Sequence, residues 1–243
     1  MLTQDMEMPK VAIVGGTGIG DLLLKGGGRA VHVPTPFGLL RGRISESGFL
    51  VIARHGPGHK LPPHRIDYRT MAGGLRSLGV EYCLASAAVG SLREDWGIGT
   101  MIACSDFLEL SGRSITMFEQ DIRHTDFTDP FDPDARRWLV QEGVIAGGVY
   151  VCAPGPRYET PAEIEFYRRV GGDVVGMTAG TEAVAMREAG IKYAVLAIVS
   201  NFAAGLAGKA LSHAEVEESV RGSGERAAAA LITAAEALGG TRV

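Results

Sequence analysis

Residues 11–21 read VAIVGGTGIGD: four apolar residues run directly into a loop with glycine at 15, 16, 18 and 20. A short apolar run closed by turn residues predicts a strand buried on both faces, the kind found inside a parallel sheet. Outward from it the same pattern recurs at Phe49–Ala53, Tyr82–Ser86, Met101–Cys104, Val149–Ala153, Val174–Met177 and Tyr193–Val199. Between these runs, Arg65–Leu78, Pro161–Val170 and Thr181–Ala189 place apolar residues at helical spacing, with proline or threonine near the start and glycine soon after the end. Such alternation predicts an α/β fold, with a mixed, largely parallel central sheet flanked by helices, in a single domain over residues 1–243.

The stretch Ser212–Leu238 opens with the capping-box pattern S-H-A-E and continues as an alanine-rich helix, expected to break near Gly222 and Gly224. Arg113–Pro133 has little periodicity and several aspartates, and loops of that length are commonly functional or interfacial. No repeat, linker or low-complexity segment stands out.

With 46% hydrophobic residues in 243, the chain can bury one sizeable core, and a net charge of −4 gives no field that favours polyanions. Nucleic acid is therefore not an expected partner. Cys83, Cys104 and Cys152 are odd in number and form no C-x-x-C pair, which fits a reducing compartment better than a disulfide framework or a zinc site. Acids at the start of MLTQDMEMPK stand where a signal peptide carries basic residues, and the stretch Tyr193–Leu211 is interrupted by Ser200, Asn201 and Lys209. A cytoplasmic protein that does not cross a membrane is the expectation.

Five segments carry chemistry. The glycines around Thr17 let backbone amides turn towards an anion, although a plain tight turn has the same composition. A dinucleotide fingerprint is absent, because the acid expected about 20 residues on is missing. ARHGPGHKLPPHR, residues 53–65, gathers Arg54, His55, His59 and His64 just beyond a strand end, where a planar guanidinium fork and titratable imidazoles can orient an oxyanion. SAAVGSLRED, residues 86–95, reads as a strand-to-loop turn of small residues that lets backbone approach a flat ligand. In APGPRYETPAE, residues 153–163, Tyr158 can stack on a base and Glu159 can accept from ring N–H groups, or Glu159 can simply favour a helix N-terminus. VVGMTAGTEA and AIVSNFAAG, residues 174–183 and 197–205, are two strand ends carrying Met177, Thr178, Glu182, Ser200 and Asn201; a buried amide at 201 requires partners unless it is a turn former.

Taken together, GGTG, RHG, GSLRE, GPRYET and GMT followed by a strand ending SN resemble the trimeric purine nucleoside phosphorylase and 5'-methylthioadenosine phosphorylase family, in the same order over nearly the whole chain. The resemblance implies phosphorolysis of a purine nucleoside, with inorganic phosphate as co-substrate and no metal or organic cofactor. It implies that Thr17, Arg54, His55, the backbone around Ala87 and Ala88, and Thr178 hold phosphate. Met177 would lie against the ribose, Val89, Gly90, Tyr158 and Ala203 would line the base pocket, and Glu159 and Asn201 would face the purine edge. His55 and Asn201 are the groups it assigns to catalysis.

In that family the pair Glu159 and Asn201 resembles the 6-oxopurine enzymes, since a 6-oxopurine gives N1–H to a carboxylate and accepts at O6 and N7 from an amide. Inosine, guanosine and 5'-methylthioinosine are the implied substrates, with 5'-methylthioadenosine phosphorylase as the alternative. A homotrimer is also implied, with sites near subunit boundaries. His213 in LSHAEV resembles the histidine that meets a free 5'-hydroxyl, whereas His124 in IRHTDFTDP resembles the loop lent by a neighbouring subunit to methylthio-specific sites. Two positions depart from the family pattern: Ala87 replaces a threonine or serine, and Thr181 replaces a proline before Glu182. A purine-binding module without turnover, a calcium-dependent nucleoside hydrolase and an NAD-linked oxidoreductase are the rival classes.

Overall fold

In the computed structural model, which describes residues 8–206 and 213–240 and only the backbone of 213–221, the run at 11–14 is strand β1, Val11–Gly15. Its alternate residues point into different cores. Ala12 and Val14 join one hydrophobic cluster, and Val11 and Ile13 join another on the opposite face. That explains why the strand reads as a continuous apolar run rather than an alternating one.

The chain continues through α1 (Gly20–Leu24), β2 (Arg29–Thr35), β3 (Gly38–Ile44), β4 (Leu50–Ala53), α2 (Tyr68–Ser77), β5 (Tyr82–Ser91), β6 (Met101–Ala103) and β7 (Asp106–Glu109). It then forms α3 (Pro133–Leu139), β8 (Val144–Ala146), β9 (Val149–Cys152), α4 (Pro161–Arg169), β10 (Val174–Gly176), α5 (Ala179–Glu188), β11 (Lys192–Phe202) and α6 (His213–Gly240). One sheet runs β2-β3-β4-β1-β5-β10-β9-β7, with β11 on the other side of β5 and β6 and β8 beyond it. Most pairings are parallel, so the mixed, largely parallel α/β sheet read from the sequence is the fold observed. The hairpin β2–β3, the β3–β4, β5–β10 and β6–β11 pairs are antiparallel.

Helices start where side chains satisfy their first amides. Asp67 caps α2, accepting from the amides of Arg69 and Thr70 at 3.1 Å each, so the helix begins three residues later than its periodicity predicts. α6 runs without a break through Gly222 and Gly224, contrary to the expected interruption. A glycine costs a helix only about 1 kcal/mol, and the packing of Ala227, Leu231, Ala234 and Leu238 against the sheet outweighs it. Strands β5 and β11 extend well past their apolar runs, β11 as far as Phe202. β5 continues through Ser86–Ser91, read from sequence as a turn, because β11 pairs with it along its length from Tyr82 to Ser91.

Candidate active site

The sheet forks along β5, and the fork holds the site. At its start β5 has β1 as a neighbour, through Ala85 opposite Val14. At its end the neighbour is β10, antiparallel, with Gly90 opposite Val175 and Ser91 opposite Val174. Between Ser86 and Val89 neither strand is present on that side, and a cavity of about 400 Å³ opens there. Its walls are Ala87, Ala88, Val89 and Gly90 from β5, Thr17 from the loop after β1, and Gly176, Met177 and Thr178 from the end of β10. Small residues on β5 keep the space open. This is the crevice at strand ends where open α/β sheets bind ligands.

One end is built around Arg54, at the end of β4. Its Nε and Nη2 donate to the two carboxylate oxygens of Glu182 in α5 at 2.7 and 2.6 Å, and Nη1 donates to the carbonyl of Ser86 at 2.7 Å. Both side chains are almost fully buried. Of five guanidinium N–H groups, three are used inside the protein and one remains on each terminal nitrogen. Burial opposes the charged guanidinium, but the adjacent carboxylate outweighs it and holds the Arg54 pKa above its ordinary value. The Tyr193 hydroxyl donates to the same carboxylate at 2.8 Å. Gly16 lets the guanidinium in: a Cβ there would lie 2.7 Å from Nη1, and its amide donates to Ser86 Oγ at 2.9 Å.

His55 Nδ1 lies 2.8 Å from the carbonyl of Leu61, which can only accept, so Nδ1 carries a proton and the ring is held in place. Thr178 stands at the N-cap of α5, but its side chain makes no capping bond. The Tyr150 hydroxyl accepts from the amides of Thr178 and Ala179 instead, at 3.3 and 3.4 Å. A guanidinium edge, an imidazole and two threonines therefore meet at one end of the cavity, a donor-rich surface suited to a tetrahedral oxyanion.

The other end is formed by Tyr158, Glu159 and Asn201. Glu159 is not the helix cap that its position before α4 permits. Thr160 caps the helix and Glu163 closes the box, with Thr160 N donating to Glu163 Oε2 at 2.7 Å and Glu163 N to Thr160 Oγ1 at 3.2 Å. The nearby Arg157 is also taken by Glu163, at 2.6 and 2.8 Å. Glu159 is left buried at the cavity wall, and burial raises its carboxyl above the usual range. Asn201 is aimed by a β-bulge: β11 inserts Ser200 between Val199, opposite Val89, and Asn201, opposite Gly90. Its Oδ1 accepts from Ser200 Oγ at 2.8 Å and its Nδ2 donates to the carbonyl of Phe202 at 2.9 Å, leaving one amide N–H. The partners demanded by a buried amide at 201 are thus its two chain neighbours.

Of the remaining expected residues, only Ala203 is placed away from the cavity that it is expected to line. Ala203 falls past the bulge, packs with Leu92 and Val175 in an apolar cluster, and does not line the cavity. His124 is exposed within the irregular segment before α3 and does not line this chain's cavity. The side chain of His213, at the start of α6, lies outside the described residues. The departure at Thr181 leaves α5 regular, with its hydroxyl donating to Glu109 Oε2 at 3.1 Å. Sequence reasoning assigned no role to Lys60, Leu61, Pro62 or Pro63, which form the lip of the cavity, nor to Ser200. Arg113 braces that lip by donating to the carbonyls of Pro63 and Ile66 at 3.1 and 2.8 Å. His59, also on the lining, carries a signal through its place in the histidine cluster, and Ser200 through its place at a strand end beside Asn201.

The sequence profile of the phosphorylase superfamily matches residues 10–236. The chain belongs to that superfamily. It is 40% identical over 229 residues to the 6-oxopurine nucleoside phosphorylase of Pyrococcus furiosus, covering 87% of this chain and 86% of the relative. It is also 40% identical over 210 residues to a Methanopyrus kandleri protein named "Probable S-methyl-5'-thioinosine phosphorylase", covering 82% and 81%. Among solved structures, methylthioadenosine phosphorylase from Schistosoma mansoni in complex with adenine superposes with a TM-score of 0.87 at 28% identity, over 96% of this chain and 93% of that one. The resemblance carried by the five motifs is therefore a family relationship, and this superfamily member is an enzyme of the nucleoside phosphorylase class.

Proposed function

We propose that this enzyme cleaves the N-glycosidic bond of 6-oxopurine nucleosides with inorganic phosphate, releasing the free base and a ribose or 5-methylthioribose 1-phosphate. The observation that carries the reading is the pairing of a donor-rich oxyanion end with Glu159 and Asn201 at the other end of one cavity. Phosphate held by Thr17, Arg54, His55 and Thr178 attacks C1', the C1'–N9 bond breaks, and its electron pair moves into the purine. The bound anion offsets the cationic sugar. The remaining amide N–H of Asn201 meets charge gathering at O6 and N7, a contribution of about 2.7–4 kcal/mol for a preorganised donor. Glu159 accepts N1–H, which a 6-aminopurine lacks. No residue in this scheme calls for a metal or organic cofactor.

Inosine, guanosine and 5'-methylthioinosine all satisfy these contacts; the S. mansoni structures support 5'-methylthioadenosine as the second reading. The same reading includes a cytoplasmic homotrimer, with His124 reaching a neighbouring site and His213 meeting a 5'-hydroxyl. Among the described residues no helix is long and apolar enough to cross a membrane. The test is a panel of inosine, guanosine, adenosine, methylthioinosine and methylthioadenosine, assayed with and without phosphate. Phosphate-dependent release of hypoxanthine or guanine, well above release of adenine, is expected. Equal rates without phosphate, or a preference for the 6-amino substrates, overturns the assignment.

A further inference from the structure

A phosphate dianion entering the cavity needs opposite charge to draw it in, and Arg54 does not offer a net one. Its guanidinium is locked to Glu182 at 2.6 Å with both side chains out of solvent, so the pair presents two directed N–H groups but is neutral as a unit. The other titratable groups on the lining are His55, His59, Lys60, Tyr158 and Glu159. Burial raises the Tyr158 pKa and keeps the phenol neutral. Glu159, where ionised, adds negative charge. Lys60 is exposed and forms no ion pair among the described residues.

The segment carrying Lys60 is a fixed turn. Leu61 N donates to the carbonyl of His55 at 2.8 Å, His59 N to that of Gly56 at 3.1 Å, and Gly58 N to Asp21 Oδ1 at 3.2 Å. His59 adopts a left-handed φ of 53°, and its ring lies 4.3 Å from that of His55. The turn that carries Lys60 is therefore fixed at the same end of the cavity as His55, and among the described residues no carboxylate forms an ion pair with its ammonium.

We infer that Lys60 supplies the net positive charge that attracts inorganic phosphate into the cavity, while Arg54 orients the anion once it has arrived. The inference rests on the phosphorylase reading for its ligand. A charge at the rim acts over a Debye length and is weakened by salt, whereas the directed bonds of a neutral, buried pair are not.

The experiment compares Lys60→Met, Lys60→Glu and Lys60→Arg with wild type, by phosphate KM at low and high ionic strength and by calorimetric titration with inorganic phosphate alone. At low ionic strength Lys60→Met should raise the phosphate KM about 3- to 10-fold, the range for a partly screened charge. Lys60→Glu should raise it further, Lys60→Arg should restore it, and the nucleoside KM should move little. High salt should shrink the difference. A Lys60→Met enzyme with the wild-type phosphate KM and affinity overturns the inference alone, leaving phosphorolysis intact. A phosphate-independent wild type whose calorimetric phosphate affinity still falls in Lys60→Met overturns the reaction and keeps the inference. Loss that is indifferent to salt, or no phosphate binding at all, also rejects it.

Discussion

Replacing Glu182 with glutamine tests the claim that Arg54 is aimed by its partner. Glutamine keeps the volume, so no cavity forms, but it offers one acceptor where the carboxylate offers two and places an amide donor against a guanidinium donor. Arg54 takes both oxygens, at 2.6 and 2.7 Å, and Tyr193 shares one of them at 2.8 Å. The guanidinium is left as an uncompensated buried charge, a change that costs about 3–5 kcal/mol. For a chain of this length each kcal/mol moves Tm by roughly 2–4 °C, so the variant should melt roughly 6–20 °C lower. Because the two N–H groups that face the cavity lose their fixed direction, the phosphate KM should rise by roughly tenfold to a hundredfold.

A second variant separates stability from function. Arg54→Met with Glu182→Leu replaces the ion pair by apolar groups, an exchange that is often neutral or stabilising. It should recover part of the lost Tm, short of all of it because the Tyr193 hydroxyl and the Ser86 carbonyl lose their partners, and it should not recover phosphate turnover. Differential scanning calorimetry and initial rates at varied phosphate read both effects. A Glu182→Gln protein that melts with wild type and keeps its phosphate KM refutes the reasoning.

Thr160→Ala removes the cap of α4 and should cost about 1 kcal/mol, with a higher nucleoside KM because Glu159 sits one residue before the cap; a melting curve and substrate titration check both. Glu159→Gln should raise Tm at neutral pH while raising the KM for inosine. Burial lifts the Glu159 pKa, so the folded protein holds its proton more tightly than the unfolded chain, and stability falls as pH climbs from the ordinary carboxylate value through the raised one; the glutamine removes that loss, and an unchanged Tm with unchanged inosine KM rejects the account. Acidifying the wild type through the raised pKa should weaken nucleoside binding, since the neutral carboxyl of Glu159 is a poorer acceptor for N1–H than the carboxylate. Gly176→Ala should destabilise by about 1–3 kcal/mol and disturb Thr178, because a methyl there falls on the Tyr150 hydroxyl that holds the start of α5; a phosphate KM and Tm equal to wild type would contradict it.

The buried strands were legible because both faces of each are covered, which writes apolar runs into the sequence at β1, β4, β9 and β11. The hairpin β2–β3 was not. It lies at the sheet edge with only Val31 and Leu40 buried, and RAVHVPT and GLLRGRI show neither an apolar run nor clean alternation. Residues 86–91 misled for the reverse reason: serine, alanine and glycine have weak strand preference, but the long pairing with β11 overrides it. Arg54, His55 and Thr178 could be located as residues near strand ends, whereas the Arg54–Glu182 pair joins positions 128 apart and has no local signature. Lys60 was passed over inside a motif whose histidines drew the attention.

The two ends of the cavity are held by different kinds of contact, and this has a consequence for how the protein tolerates change. The oxyanion end is built from groups shared with the core: Arg54 is paired with Glu182, Tyr193 and Ser86 belong to the central strands, and Tyr150 anchors α5 from beneath. Any change there leaves buried polar groups without partners and costs stability and turnover together. The base end rests on a capped helix entry and a one-residue bulge, whose side-chain hydrogen bonds are local: Thr160 with Glu163, and Asn201 with Ser200 and Phe202. Glu159 is moreover destabilised by its burial, so exchanging it relieves the fold rather than straining it. Base preference can therefore shift at small thermodynamic cost while the oxyanion end stays fixed. This asymmetry follows from where the partners of each side chain sit, within the sheet for one end and within three residues of the chain for the other.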